Sequence, residues 1–168
     1  MKRRTWLQLS LASAAVLLVA GGAATLIEPG LKAGRLSAAG KEVFNATGRA
    51  LLDGSLPSEE GAKQIALGGL LERIDGLVGA LPAHAQDEIS QLLALLATSA
   101  GRLGLAGLGS PWHSASVADI QAALQDMRTS SLGLRQQAYH ALHDIVGGAY
   151  FSDASTWKQL GYPGPMPI

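Results

Sequence analysis

The sequence predicts an all-α fold: one small domain of about five helices, with an N-terminal export or anchor helix before it and an extended, Pro/Gly-rich tail after it. Three observations predict this class. Apolar residues recur at three- and four-residue spacing, and no segment shows the sustained alternation of a strand. The 168 residues suffice for one ordinary domain. Hydrophobic residues make up 48% of the chain and charged residues 15%, which excludes a disordered protein.

Residues 1–27 are predicted to be a twin-arginine-like export signal or a membrane anchor. A basic start at Lys2 is followed by an uncharged stretch of 21 residues, 7–27. Two arginines, a polar residue, an aromatic residue and a leucine follow one another at the start, as in twin-arginine signals. The candidate export residues are Arg3, Arg4, Trp6 and Leu7.

Two outcomes stay open for this segment. As a helix, 21 residues span about 30 Å, enough to cross a bilayer as an anchor. The small residues at 20–24 also suit cleavage by a signal peptidase. In both cases the basic start places the rest of the chain outside the cytoplasm, so we expect a periplasmic protein associated with the bacterial inner membrane. The body carries ten bases against thirteen acids, a charge of −3, so membrane attachment is expected from residues 1–27.

The helical domain is predicted over residues 28–149. After a short connector at 31–36, the first helix starts near Ser37 and ends before Gly54; its apolar positions are Val43, Phe44, Thr47 and Leu51. The second is predicted to be N-capped by Ser58. Its stripe comprises Ala62, Ile65, Gly69, Leu70, Ile74, Leu77, Val78 and Leu81, and its polar side includes Asp75.

The second half of the domain supplies the other three helices. The third begins after Pro82, with Ile89, Leu92, Leu93 and Leu96 on its apolar face. A packed loop is predicted for 101–109, with Leu103, Leu105 and Leu108 turned inward. The fourth starts at a capping-box-like 116–119, and its core positions are Ile120, Ala123, Leu124 and Met127. The fifth carries Leu134, Ala138, Ala141, Leu142, Ile145 and Ala149.

Residues 150–168 are predicted to be an aromatic, Pro-rich docking segment. Five of the eight aromatic residues lie in the last thirty positions, and three prolines in five residues favour an extended path. Such a segment either folds back over its own helices or docks on a partner. The candidate partner-interface residues are Tyr150, Phe151, Trp157, Gly161, Tyr162, Pro163, Gly164 and Pro165.

No motif for chemistry is visible in the chain. The absence of cysteine excludes a disulfide framework, a thiolate zinc site and a cysteine nucleophile. The chain also lacks GxGxxG, P-loop, HExxH and GxSxG patterns. His140 and His143 share a helix face, and a surface or interface role is expected for both. We therefore predict no catalytic, cofactor-binding or metal-binding residue in this chain.

The export route indicates a partner. The twin-arginine system carries folded proteins, commonly because a cofactor is inserted in the cytoplasm, and this chain has no visible cofactor motif. Either the chain travels with a companion that holds a cofactor, or the route reflects fast folding of the chain alone.

The C-terminal run Ala149-Tyr150-Phe151-Ser152-Asp153, with Trp157 and then Gly161-Tyr162-Pro163-Gly164-Pro165, resembles the signature of the gluconate 2-dehydrogenase subunit 3 family. The paired arginines fit the signal that its members typically bear. The resemblance implies a non-catalytic helical subunit that binds a large FAD-containing subunit of the glucose-methanol-choline (GMC) oxidoreductase type. It would escort that subunit through the twin-arginine translocon and stabilise it afterwards.

Two further consequences stay expectations. Many complexes of that family add a multihaem cytochrome c, so the resemblance allows haem c in a third subunit beside the FAD subunit. Members serve sugar, sugar-acid and other alcohol oxidations, and the substrate does not follow. The alternative function is a stand-alone, membrane-anchored periplasmic helical binding protein.

Overall fold

The computed structural model of the chain describes residues 28–164, and only the backbone of 159 and 160. Its five long helices are α1 (Ala38–Leu51), α2 (Glu60–Gly79), α3 (Ala83–Ala97), α4 (Val117–Thr129) and α5 (Gly133–Phe151). The shorter elements are β1 (Leu31–Lys32), β2 (Arg35–Leu36), a helical turn at Ser99–Gly101, a π-helix at Arg102–Ala106 and a 3-10 helix at Ala154–Leu160. The predicted all-α class is confirmed.

Helix α1 is the centre of the domain, because it packs against all four other long helices. Its buried positions cover about half of the helix surface, while Lys41 and Glu42 on the opposite side are exposed; the buried residues are Gly40, Val43, Phe44, Ala46, Thr47, Gly48 and Ala50. Small residues at these positions let the neighbouring helices approach closely, while Val43 and Phe44 are fully buried between them. A single apolar stripe, as predicted, therefore describes only part of what α1 buries.

Helix α2 differs from its prediction in two respects, which are the set of buried residues and the N-cap. Its buried face contains Leu67, Leu70, Ile74 and Val78, which pack towards α1 and α5, whereas Ile65 is 79% exposed. Its N-cap is Glu59 and not Ser58: the Glu59 carboxylate accepts hydrogen bonds from the N–H groups of Gly61 and Ala62. The bond from Ala62 and then that from Gly61 hold the pKa of Glu59 below its usual value.

Asp75 was predicted on the polar side of α2, and that prediction is wrong because a neighbouring hairpin covers it. The segment 31–36 forms a two-stranded antiparallel hairpin, not a connector, with Leu31 opposite Leu36. The N–H of Leu36 donates to Asp75 Oδ1 at 2.6 Å, and Arg35 lies 3.5 Å from Oδ2. The Asp75 carboxylate thus attaches β2 to α2.

The turn of this hairpin contains a strained alanine, which gives a stability prediction. Ala33 has φ = 51° and Gly34 has φ = 74°, as in type I′ turns, where asparagine and glycine are preferred. Ala33→Asn should raise the free energy of unfolding by about 0.5–1 kcal/mol, measured by urea denaturation. Gly34→Ala is the matched control and should destabilise, since its Cβ would also lie 3.2 Å from Gln86 Oε1. Loss of stability in Ala33→Asn would contradict the strain argument.

The glycine-rich segment after α3 was predicted as a loop, but residues 102–106 are helical. Leu105 and Leu108 are buried as expected, whereas Leu103 is 61% exposed. The following loop is fixed by Trp112, which is buried and donates from Nε1 to the carbonyl of Leu96 at 2.8 Å. The glycine-rich segment is thus part of the core, although most of its residues are small.

Helices α4 and α5 confirm most of the predicted core. Ser116 caps α4 by accepting from the N–H of Asp119 at 3.1 Å, and all four predicted core residues of α4 are buried. In α5, Leu134 is 38% exposed, because the buried part of the helix starts only at Ala138. The helix continues to Phe151, so the predicted boundary between 149 and 150 falls inside it.

Candidate functional site

The export residues lie outside the part of the chain that the structure describes. Arg3, Arg4, Trp6 and Leu7 precede residue 28, and Pro165 follows residue 164. Their roles stay predictions from the sequence.

The C-terminal segment is anchored to the end of α5 rather than extended over its whole length. Asp153 N-caps the 3-10 helix at Ala154–Leu160 by accepting from the N–H of Ser155 at 2.9 Å. The buried hydroxyl of Thr156 donates to the carbonyls of Tyr150 (3.2 Å) and Asp153 (2.7 Å). The extended path was predicted from the glycines and prolines of 161–168, and the helical hydrogen bonds end where that run begins, at Gly161.

A contact from α2 holds the start of this segment in place. Arg73 Nε donates to the carbonyl of Ala149 at 2.8 Å, and Arg73 Nη1 lies 3.4 Å from Asp153 Oδ2. Hydrogen bonds from the Ser155 hydroxyl and then from its N–H lower the pKa of Asp153, and Arg73 adds to the effect. Asp153 therefore accepts as a carboxylate at neutral pH, and the segment is fixed to α2 as well as to α5.

Three aromatic side chains form a partly exposed surface at this end, which we call the aromatic end: Phe151, Trp157 and Tyr162. Phe151 is 38% exposed, Tyr162 is 47% exposed and Trp157 is half-buried. Trp157 Nε1 donates to the carbonyl of Phe151 at 2.8 Å, and the Tyr162 ring meets the Trp157 ring edge-on at 5.4 Å. The rings are held in fixed positions while much of their surface still faces solvent.

The backbone after the 3-10 helix completes the aromatic end. Gly161 ends that helix with φ = 69°, and the N–H of Tyr162 donates to the carbonyl of Trp157 at 3.1 Å. Gly164 passes close to the Trp157 ring, and Pro163 is exposed. The structure thus brings together the predicted interface residues from 151 to 164.

Tyr150 is the exception among the predicted interface residues. Its ring is 6% exposed, and its hydroxyl donates to the carbonyl of Ser55 at 3.2 Å. Because the α5 register turns position 150 towards α1 and the loop before α2, Tyr150 is a core residue, and we correct its assignment to the interface.

A cavity of about 630 Å³ lies beside the aromatic end. It is bounded by the first half of α2, the loop at 55–57 and residues 150–156. Ile65 and Gly69 contribute to its wall, and Ile65 is the most exposed of the large apolar residues that the structure describes. Sequence reasoning missed Ile65 because its spacing fits the α2 stripe, and the pattern alone cannot show which part of a stripe another helix covers.

His140 and His143 take part in pair contacts. His143 Nδ1 lies 2.9 Å from Asp144 Oδ1, and His140 and His143 flank the ring of Tyr139. Across residues 28–164, no group of three or more His, Asp or Glu side chains is placed to hold a metal ion.

A second cavity of about 520 Å³ lies at the hairpin. Arg35, Glu72 and Gln86 line it together with Asp75, whose oxygens already contact β2. We assign this cavity to the attachment of the hairpin and not to a site.

Between residues 28 and 164, no single helix is both long and apolar enough to cross a bilayer. One pair, α3 followed by 99–106, meets the length and hydropathy requirement jointly, but its two parts are bent by 89°. Comparison with known protein families, with curated proteins and with solved structures finds no match to this chain.

Proposed function

We propose that this chain is the non-catalytic small subunit of a periplasmic FAD-dependent dehydrogenase complex that oxidises a sugar, a sugar acid or another alcohol. In this proposal the chain binds a large GMC-type subunit that holds the FAD, escorts it through the twin-arginine translocon and stabilises it afterwards. The paired arginines and the resemblance of the C-terminal signature support the partner class.

The observation that carries the proposal is the aromatic end. Tryptophan and tyrosine dominate the binding energy of protein interfaces, and rigid, half-exposed rings lose little conformational entropy on association. Trp157 and Tyr162 satisfy both conditions, because backbone hydrogen bonds and their edge-on contact fix them before any partner arrives. The exposed Ile65 and the adjacent cavity give this surface room for apolar side chains of a partner.

The mechanism follows from the order of events. FAD is inserted into a folded protein in the cytoplasm, so the loaded subunit needs an export signal, and this chain supplies one in trans. The complex must survive passage, which requires an interface of the obligate kind, roughly 2,000 Å² or more. Affinity purification of the tagged full chain from membranes, followed by an absorbance spectrum of the co-purified protein, tests the proposal. A flavin spectrum is expected, and a chain that purifies alone contradicts it.

The export role gives a separate prediction. The double variant Arg3→Lys, Arg4→Lys should leave active flavoprotein and the small subunit together in the cytoplasm, because the translocon reads the arginine pair. Dehydrogenase activity in periplasmic and cytoplasmic fractions measures this. Arg128→Lys, an exposed arginine in the body, is the matched control and should change nothing. Normal periplasmic activity of the double variant would contradict the escort role.

A further inference from the structure

Three leucines protrude from the end of the domain opposite the aromatic end. Leu103 is 61% exposed, Leu132 is 62% exposed and Leu134 is 38% exposed. The π-helix that carries Leu103 packs against the first turns of α5, where Arg135 Nε donates to the carbonyl of Leu105 at 2.8 Å. The three side chains therefore share one end of the molecule, which we call the leucine end.

The backbone around Leu132 is held in place by hydrogen bonds to two nearby side chains, Gln136 and Ser130. In the turn between α4 and α5, Gln136 Nε2 donates to the carbonyl of Ser130 at 2.8 Å, and the N–H of Leu132 donates to Ser130 Oγ at 3.2 Å. Leu132 also occupies the N-cap position of α5, where it makes no capping hydrogen bond. A serine or aspartate at this position would stabilise the helix, so capping does not explain the leucine. Packing does not explain it either, because the side chain is 62% exposed.

The charge around the leucine end is positive or absent. The sequence has no carboxylate between Glu88 and Asp119, and none between Asp126 and Asp144. The π-helix carries the buried Arg102, the last turn of α4 carries Arg128 and the first turn of α5 carries Arg135. The nearest carboxylate in sequence is Asp126, one turn before the end of α4. Exposed apolar side chains flanked by arginine, serine and glycine match a lipid bilayer, because its interior is apolar and its head groups can carry negative charge.

A lipid surface fits these observations better than a protein partner. Leucine and serine are under-represented among the residues that dominate protein interfaces, whereas the aromatic end has the composition those interfaces favour. The leucines protrude, and neither cavity described above includes a residue of this end. We propose that the leucine end inserts Leu103, Leu132 and Leu134 into the interface of a bilayer that contains anionic phospholipid, independently of residues 1–27.

The test uses the absence of cysteine from the natural chain. The full-length Leu134→Cys variant is labelled with the environment-sensitive fluorophore NBD and mixed with vesicles of phosphatidylcholine and phosphatidylglycerol. We expect a blue shift and quenching by a nitroxide-labelled lipid, both several-fold weaker with pure phosphatidylcholine. The matched control is the same label at Ile65→Cys, an exposed apolar position at the other end, where neither signal is expected. Both labelled proteins keep residues 1–27, so the comparison of the two labels reports which end of the domain contacts the lipid.

A second variant separates lipid contact from folding. Adding Leu132→Ser to the labelled Leu134→Cys chain should reduce the blue shift at least threefold while raising the melting temperature, because serine caps α5. Equal signals at positions 134 and 65, or a shift that Leu132→Ser leaves unchanged, would overturn the proposal. Protection of the label by a co-purified protein, with no response to vesicles, would overturn it in favour of a protein interface.

Discussion

Gly101→Ala is expected to lower the free energy of unfolding by about 3 kcal/mol, the upper part of the usual range for overpacking. A Cβ at position 101 would clash with the carbonyl oxygen of Leu95 and would lie 2.7 Å from the carbonyl carbon. Both are backbone atoms and cannot move aside by rotation of a side chain. The same carbonyl accepts from the N–H of Thr98 at 3.1 Å and from its hydroxyl at 2.7 Å, so displacing it breaks the bend after α3.

Urea denaturation followed by tryptophan fluorescence, to which the buried Trp112 contributes, measures this effect. Gly104→Ala is the matched control, because it lies in the same segment and an added Cβ there meets no atom within 4 Å. That variant should change stability by less than about 1 kcal/mol, since alanine also gains helix propensity over glycine. If Gly101→Ala and Gly104→Ala lowered the free energy of unfolding by similar amounts, the clash with Leu95 would not be the cause. The segment would then need glycine for its backbone flexibility.

Trp157→Ala should weaken association with the flavoprotein subunit by about 2 kcal/mol or more, roughly thirtyfold in Kd. This prediction rests on the proposed function. The substitution removes the central ring of the aromatic end together with its hydrogen bond to the carbonyl of Phe151 and its edge-on contact with Tyr162. Titration of the purified large subunit with wild-type or variant small subunit, followed calorimetrically, measures the change.

Two controls separate contact from folding. Trp157→Phe keeps an aromatic ring but loses the Nε1 donor, so an intermediate affinity is expected. Leu103→Ala removes an exposed side chain at the leucine end and should leave the affinity unchanged. The Asp153 and Thr156 hydrogen bonds remain in Trp157→Ala and should preserve the monomer fold, which a thermal melt checks. Unchanged affinity in Trp157→Ala would contradict the assignment of the aromatic end as the docking surface.

The helices were predictable because local spacing and caps define them. Leu93 and Leu96 in α3, and the cap at Ser116, follow from three- and four-residue periodicity and from the preference of serine for N-caps. The hairpin escaped prediction because two-residue strands are too short to show alternation and its turn begins with alanine, a residue with no preference for positive φ.

The remaining errors share one physical cause, which is contact between residues far apart in sequence. Asp75 is buried because β2, 39 residues earlier in the chain, needs an acceptor for the Leu36 N–H. Tyr150 is buried because its hydroxyl meets Ser55, 95 residues away. The aromatic end could be located from the sequence, but its folded form could not, because the Arg73 contact comes from a different helix. Periodicity reports which side chains are apolar and not which helix covers them.

The central position of α1 has a consequence for biosynthesis. The first helix of the domain to leave the ribosome is the one against which all four later long helices pack, and a 14-residue helix alone is only marginally stable in water. Its core is therefore complete only after α5 has been translated. Residues 1–27 are synthesised well before that point, so the proposed export of a folded complex requires that the translocon engage them only after translation has ended.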